Sequence, residues 1–236
     1  MRPVKLVLAL HATDPTAALL GAELREELAA AGAHRLQVNV DDDAVAPAMR
    51  FGPGVPVTAV VSVWTDRAAQ PVLDVVRRHD PSVDAWSVSE RVPMPGPQVP
   101  DGERVDALAN VALLRRPDAM THQEWLADWL DRHTAVAIAT QGTFGYVQNP
   151  VVEALTPGAP AVAGIVEELF PMAAMGDHHA FYGSGVDEEE FQRRFTALMD
   201  SCARFGASEG LDLVPTSRYS WALSAPAPTP GPALGD

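Results

Sequence analysis

The same order of strand and helix patterns runs twice along this chain, and the break between the two runs is sharp. From Pro93 to Gly102, ten residues hold four prolines and two glycines, a composition that sustains neither a helix nor a central strand. Before it, Val4–Ala12 reads as an aliphatic strand, followed by a helix with Leu20, Leu24 and Leu28 at helical spacing, stopped by Gly32. His34–Val40 and Val57–Trp64 read as strands, Val72–Val76 lies in a second helix ending near His79, and Val83–Val92 reads as a fourth strand. After the break the pattern restarts. Val105–Leu114 reads as a strand, and Thr121-His122-Gln123-Glu124 fits a capping box opening a helix with Trp125, Trp129 and His133. Phe144–Val152 and Ala161–Phe170 read as strands. Asp187 then caps an amphipathic helix that ends at Gly206, and Leu211–Trp221 closes the run.

A β-α-β-β-α-β unit makes a four-stranded antiparallel sheet with both helices on one face. The other face is bare and needs a cover. Two such units in one chain can cover each other, which a single unit achieves only by dimerising. The expected fold class is therefore α+β: two tandem ferredoxin-like (βαββαβ) units packing sheet to sheet as an internal pseudo-dimer. The expected boundaries are 1–94 for a divergent first unit, 95–104 for the linker, 105–222 for the second unit and 223–236 for a disordered Pro/Ala/Gly-rich tail.

Composition narrows the partners. A formal net charge of −14, with no basic cluster, repels a phosphate backbone, so nucleic acid is set aside. No apolar run is long enough to span a bilayer, and Met1–His11 lacks the small-residue cleavage site of a secretory signal. Cys202 is the only cysteine, so neither an intrachain disulfide nor a cysteine-based metal cluster can form; it reads as an inert core thiol. A cytoplasmic location is expected.

The second half resembles the EthD-like family of the dimeric α+β barrel superfamily, over roughly residues 107 to 221. The resemblance rests on Arg115-Arg116-Pro117-Asp118-Ala119-Met120-Thr121, then Glu124-Trp125, Trp129 and His133, and on Tyr146-Val147-Gln148-Asn149 in the next strand. Two features depart from the family pattern: His133-Thr134-Ala135-Val136 lacks a proline after the histidine, and Met172–Val186 is an insertion. The resemblance implies a small-molecule protein, since better understood relatives act on polyketide or other aromatic-like substrates as dehydratases, cyclases or cofactor-independent oxygenases.

His133 is the first candidate for acid/base chemistry, because an imidazole titrates near neutral pH. Trp125, Trp129 and His133 recur every four residues and share one side of a helix, beside which a flat apolar substrate would fit. The competing reading is a histidine placed near a helix C-terminus by the dipole alone. Tyr146 and Gln148 share one face of a strand, where Tyr146 could donate to a developing enolate and Gln148 could orient it. His179 is a further catalytic candidate, reaching the pocket as part of a lid that Phe181 and Tyr182 help close. Phe144 and His11, at strand ends, are assigned to the substrate wall. His178-His179 with Asp177 offers metal-ligating types, but no third ligand follows at convincing spacing, so no metal is expected. Phosphate-loop and nucleophile-elbow patterns are lacking. The expected function is an enzyme acting on a hydrophobic, aromatic or polyketide-like compound without a cofactor; the alternative is a non-catalytic metabolite- or subunit-binding protein. Pairing of two such barrels into a homodimer is left open.

Overall fold

The computed structural model describes residues 4–207 and 210–224, so most of the tail expected from residue 223 lies outside the described residues. The first run contains β1 (Val4–Leu10), α1 (Thr16–Leu19), α2 (Ala22–Ala30), β2 (Ala33–Val40), β3 (Ala59–Thr65), α3 (Gln70–Val76) and β4 (Asp84–Val88). A short β5 (Arg91–Met94) leads into the proline-rich crossing. The second run contains β6 (Leu108–Leu114), α4 (His122–Leu126), α5 (Thr134–Thr140), β7 (Gly145–Ala154), β8 (Gly164–Phe170), α6 (His178–Tyr182), α7 (Glu188–Phe205) and β9 (Asp212–Ala222).

All pairings are antiparallel, in the order β4-β1-β3-β2-β9-β6-β8-β7, and β7 pairs back to β4 to close an eight-stranded barrel. Within each run the strand order is fourth, first, third, second. The sheets do more than stack over one another: they join at their edges, β2 to β9 and β4 to β7. Edge joining satisfies backbone groups that stacked open sheets would leave unpaired. β5 lies outside the ring and pairs with β7 alone, through Arg91↔Gln148 and Met94↔Tyr146. The fourth strand therefore ends at Val88, earlier than expected, because the chain breaks at Ser89-Glu90 and crosses to the other half.

Alternation along each strand divides the core into layers. Leu6, Leu8, Leu10, Leu36, Val38, Val40, Val61 and Val63 face α1–α3 and pack on Leu24, Leu28, Val72 and Val76. Val7, Ala9, Val60, Trp86, Val111, Leu113, Ile165 and Val214, drawn from both halves, fill the barrel lumen. Burial on both faces explains why β1, β3 and β6 read as continuous apolar runs.

The capping box forms: Thr121 Oγ1 accepts from the Glu124 amide at 3.2 Å, and Glu124 Oε2 accepts from the Thr121 amide at 2.9 Å. The helix it opens does not stop at His133. It passes through a π-helical stretch, Ala127–His133, and continues as α5. His133 is therefore mid-helix, which removes the C-terminal dipole reading. The segment after β8 forms a 3₁₀ turn (Met172–Met175) followed by α6.

Candidate active site

The helix-facing side of the barrel differs between the halves. In the first it is aliphatic across β1, β2 and most of β3. In the second, the strand register sets Asn110 of β6, Glu168 of β8 and Tyr146 of β7 side by side, with Gln148 two residues on from Tyr146. Four polar side chains thus sit on a surface whose other members, Ala112, Leu114 and Val166, are apolar. Over them lie Trp125, Trp129, Tyr182, Leu198 and Phe205 from the helical layer. The tryptophan rings are 5.0 Å apart, and the Trp125 indole N–H donates to the Phe205 carbonyl at 3.1 Å. Gly164 makes room for them, since a Cβ there would stand 2.4 Å from the Trp129 ring and 2.9 Å from Trp125.

Glu168 is the group with unusual acidity. It keeps a slit of solvent exposure, yet protein encloses its carboxyl, and burial raises its pKa from 4.5 to about 7 against the opposing hydrogen bond from Gln141. With the Gln141 amide turned to satisfy its donors, its nitrogen lies 3.0 Å from Glu168 Oε1 and 3.2 Å from the Ala137 carbonyl. Burial, then the charge of Glu168, pushes the Cys202 thiol up to about 12, consistent with an inert thiol. Burial and Glu168 also hold the Tyr146 phenol well above its usual 10, so it remains a hydrogen-bond donor. The Trp129 N–H is near enough to Tyr146 to temper that effect without meeting hydrogen-bond geometry.

Several buried polar atoms on this patch lack a partner among the described residues. They are Asn110 Oδ1, Trp129 Nε1, and both Nε2 and Oε1 of Gln148, a residue with no solvent exposure. An unpaired buried polar atom costs about 1–3 kcal/mol. Such atoms gathered beside one titratable carboxyl are what a polar ligand entering the layer would satisfy.

The residues singled out from the sequence divide by location. Tyr146, Gln148, Trp125 and Trp129 meet on this patch. His133 packs in the seam with α7: its Nδ1 is 3.0 Å from Ser201 Oγ, and its ring lies 4.7 Å from that of Phe205. Burial, then the Arg204 charge, lowers its pKa to about 4, so it is neutral at pH 7. Phe144 packs on the other side of the sheet, with Val105, Ala109 and Leu169. His11 lies in the first half, its Nε2 3.1 Å from Asp84 Oδ2 and its Nδ1 3.0 Å from the Pro56 carbonyl. His179 is on α6, with Nδ1 2.7 Å from Ser184 Oγ. The missing third donor near it is Glu188, from the first turn of α7: single donor atoms of His178, His179 and Glu188 all lie within 4.8 Å of one another. His178 and Glu188 are exposed, and among the described residues these three are the ones placed to hold a metal ion.

Sequence reasoning missed Glu168, Asn110 and Gln141. The available signal was Glu167-Glu168, two acids inside the aliphatic strand Gly164–Phe170. Alternation sends them to opposite faces, Glu167 into the barrel and Glu168 toward the helices.

A separate open groove of about 700 Å³ runs along the β4–β7 seam, lined by residues that include Lys5, Trp64, Arg67, Ser87, Glu90 and Glu153. Its size suits a metabolite. Its buried cation is already engaged, with Lys5 Nζ 2.8 Å from Glu90 Oε1. Among the described residues, no helix is long and apolar enough to cross a membrane.

No protein-family model and no curated protein matches the chain. Solved structures do. The chain is similar to an anthrone oxidase-like protein, with a TM-score of 0.57 at 13% identity over 95% of this chain and 96% of that one. It is also similar to a candidate monooxygenase from Fusobacterium nucleatum subsp. nucleatum, with a TM-score of 0.50 at 8% identity and the same coverage. At these identities the likeness is one of fold: this chain has the barrel architecture of those two proteins.

Proposed function

We propose that the chain is a small-molecule enzyme whose second half abstracts a proton from a flat aromatic or polyketide-like compound, with Glu168 as the base. The observation that carries this reading is a single carboxyl, poised near pH 7, among unpaired polar atoms and tryptophan rings. A base works best when its pKa lies near the operating pH, and such transfer is worth about 10²–10⁴ in rate. The Tyr146 phenol and the Gln148 amide stand on the same face and would stabilise the resulting enolate or phenolate. Glu168 takes the role the sequence gives to His133, whose Nδ1 is held by Ser201 and whose basicity is low. α6, flanked by Gly176 and by Gly183 at φ 61°, would serve as the lid, carrying Phe181 and Tyr182.

The same proposal includes the finer architecture. Residues 1–94 and 105–222 are two ferredoxin-like units joined by 95–104, an EthD-like pseudo-dimer of the dimeric α+β barrel superfamily in which the second unit alone kept the polar patch. The aliphatic helix-facing surface of the first half supports this division of labour. The neighbours' descriptions suggest carbon oxidation by dioxygen. For anthrone, loss of a methylene proton gives a carbanion that reduces O₂, and the methylene becomes a carbonyl with release of water.

Anthrone is accordingly the probe. The wild-type protein should speed exchange of its methylene protons in deuterated buffer and its conversion to anthraquinone, with both rates falling about 100-fold in Glu168→Gln. Equal rates in the two proteins would remove Glu168 from the chemistry. The runner-up, a non-catalytic metabolite-binding protein, would show saturable anthrone binding without exchange.

A further inference from the structure

The lumen of the barrel is apolar at its middle and charged at the end where β1 begins. Lys5, Trp64 and Arg35 are successive register partners on β1, β3 and β2, while Arg218 stands opposite Asn39 on β9 and Glu167 opposite Val111 on β8, each on the inward side of its strand. Lys5, Arg35, Arg218 and Glu167 enclose, with Glu90, Gln37, Val92, Gln98 and Val147, a pocket of about 120 Å³. The proline-rich crossing supplies Pro95 and Gly96 to its wall.

The charges in this pocket do not balance by pairing. Lys5 is matched by Glu90 at 2.8 Å, and Trp64 Nε1 donates to the other oxygen of Glu90 at 3.1 Å. Glu167 is used by neutral donors: Gln37 Nε2 reaches its Oε2 at 2.8 Å and Asn39 Nδ2 its Oε1 at 3.2 Å. Among the described residues Arg218, 93% buried, has only a 3.5 Å ion pair from Nη1 to Glu167, and its Nε–H has no partner. Arg35 lies over the Trp64 ring at 4.2 Å and makes no ion pair among the described residues. Two guanidinium groups with unused donors therefore face one small hollow, with two acids against three cations. A buried guanidinium short of hydrogen bonds is costly unless an anion meets it, and its planar fork matches a carboxylate.

We propose that this pocket binds a small monoanionic carboxylate, held between Arg218 and Arg35 with its short apolar tail on Val92 and Val147. A single negative charge suits the one uncompensated cation. A phosphate dianion would crowd Glu90 and Glu167. The volume, roughly that of four waters at about 30 Å³ each, admits an acid of about three to five carbons. The site is independent of the chemistry at Glu168, because Glu167 and Glu168 project to opposite faces of β8.

The test is an NMR titration of the full chain with butyrate carrying a ¹³C carboxyl label. Saturable binding to the wild type is expected, weakened at least tenfold in Arg35→Gln and in Arg218→Gln, and unchanged in Arg67→Gln, an exposed arginine outside this pocket. Arg35 is only partly buried and its side chain makes no hydrogen bond among the described residues, so Arg35→Gln keeps the test valid should Arg218→Gln fail to fold. No saturation, or equal affinity in wild type and Arg35→Gln, overturns the site. Inorganic phosphate displacing butyrate at lower concentration overturns the carboxylate assignment.

Discussion

Replacing Glu168 with glutamine should make the protein more stable at neutral and alkaline pH and leave it little changed in acid. Burial raises the Glu168 pKa from 4.5 to about 7. The folded state therefore holds its proton more tightly than the unfolded chain, so this group's contribution is fully present below pH 4.5. It is lost as pH rises through 7. At 1.36 kcal/mol per pH unit, a shift of that size corresponds to about 3 kcal/mol between pH 4.5 and 8. Glutamine keeps the shape and the neutral charge at every pH. Urea unfolding of both proteins from pH 4.5 to 8.5 measures the difference; the advantage of Glu168→Gln should grow by about 3 kcal/mol across that range. For a chain of this size that is roughly 6–12 °C in melting temperature. A variant more stable where it is inactive would mark Glu168 as a group kept at a cost to folding, as reactive carboxyls commonly are. A difference that stays flat with pH would refute the reasoning, because the carboxyl would then titrate alike in both states.

Other substitutions probe the layers around the patch. His133 shows the opposite linkage: its folded pKa of about 4 lies below the ordinary 6.5, so stability is full above pH 6.5 and about 3 kcal/mol is lost as pH falls to 4. Replacing His133 with glutamine should abolish that acid sensitivity, read from the pH dependence of the urea midpoint. Gly164→Ala forces a methyl into the Trp129 and Trp125 rings and should cost about 1–3 kcal/mol, with a change in tryptophan fluorescence. Thr121→Ala removes the capping box at the start of α4 and should cost about 1 kcal/mol by thermal unfolding.

Much of the architecture was readable because it depends on local periodicity. The proline break, the Thr121 and Asp187 caps and the aliphatic strands all follow from neighbours in the chain. The closure of the barrel was less accessible, since pairing of β2 with β9 and of β4 with β7 joins residues far apart in sequence. The helix beyond His133 escaped notice because Thr134–Thr140 is small and apolar without a strong stripe. Tyr146 and Gln148 were legible as a pair because alternation fixes their common face. Glu168 was not, because its raised pKa comes from burial near Cys202 and Tyr146, against the hydrogen bond from Gln141, in surroundings that only the tertiary fold assembles. The imidazole of His133 looked reactive in isolation and lost basicity to burial, the same force that makes Glu168 basic.

The most direct measurement is a ¹³C NMR pH titration of the glutamate side-chain carboxyls. One signal with a midpoint near 7, missing from Glu168→Gln and shifted when anthrone is added, is the expected result. If every glutamate titrates below pH 5, no carboxyl is poised for proton transfer at neutrality, and the assignment of this patch as a reaction site fails.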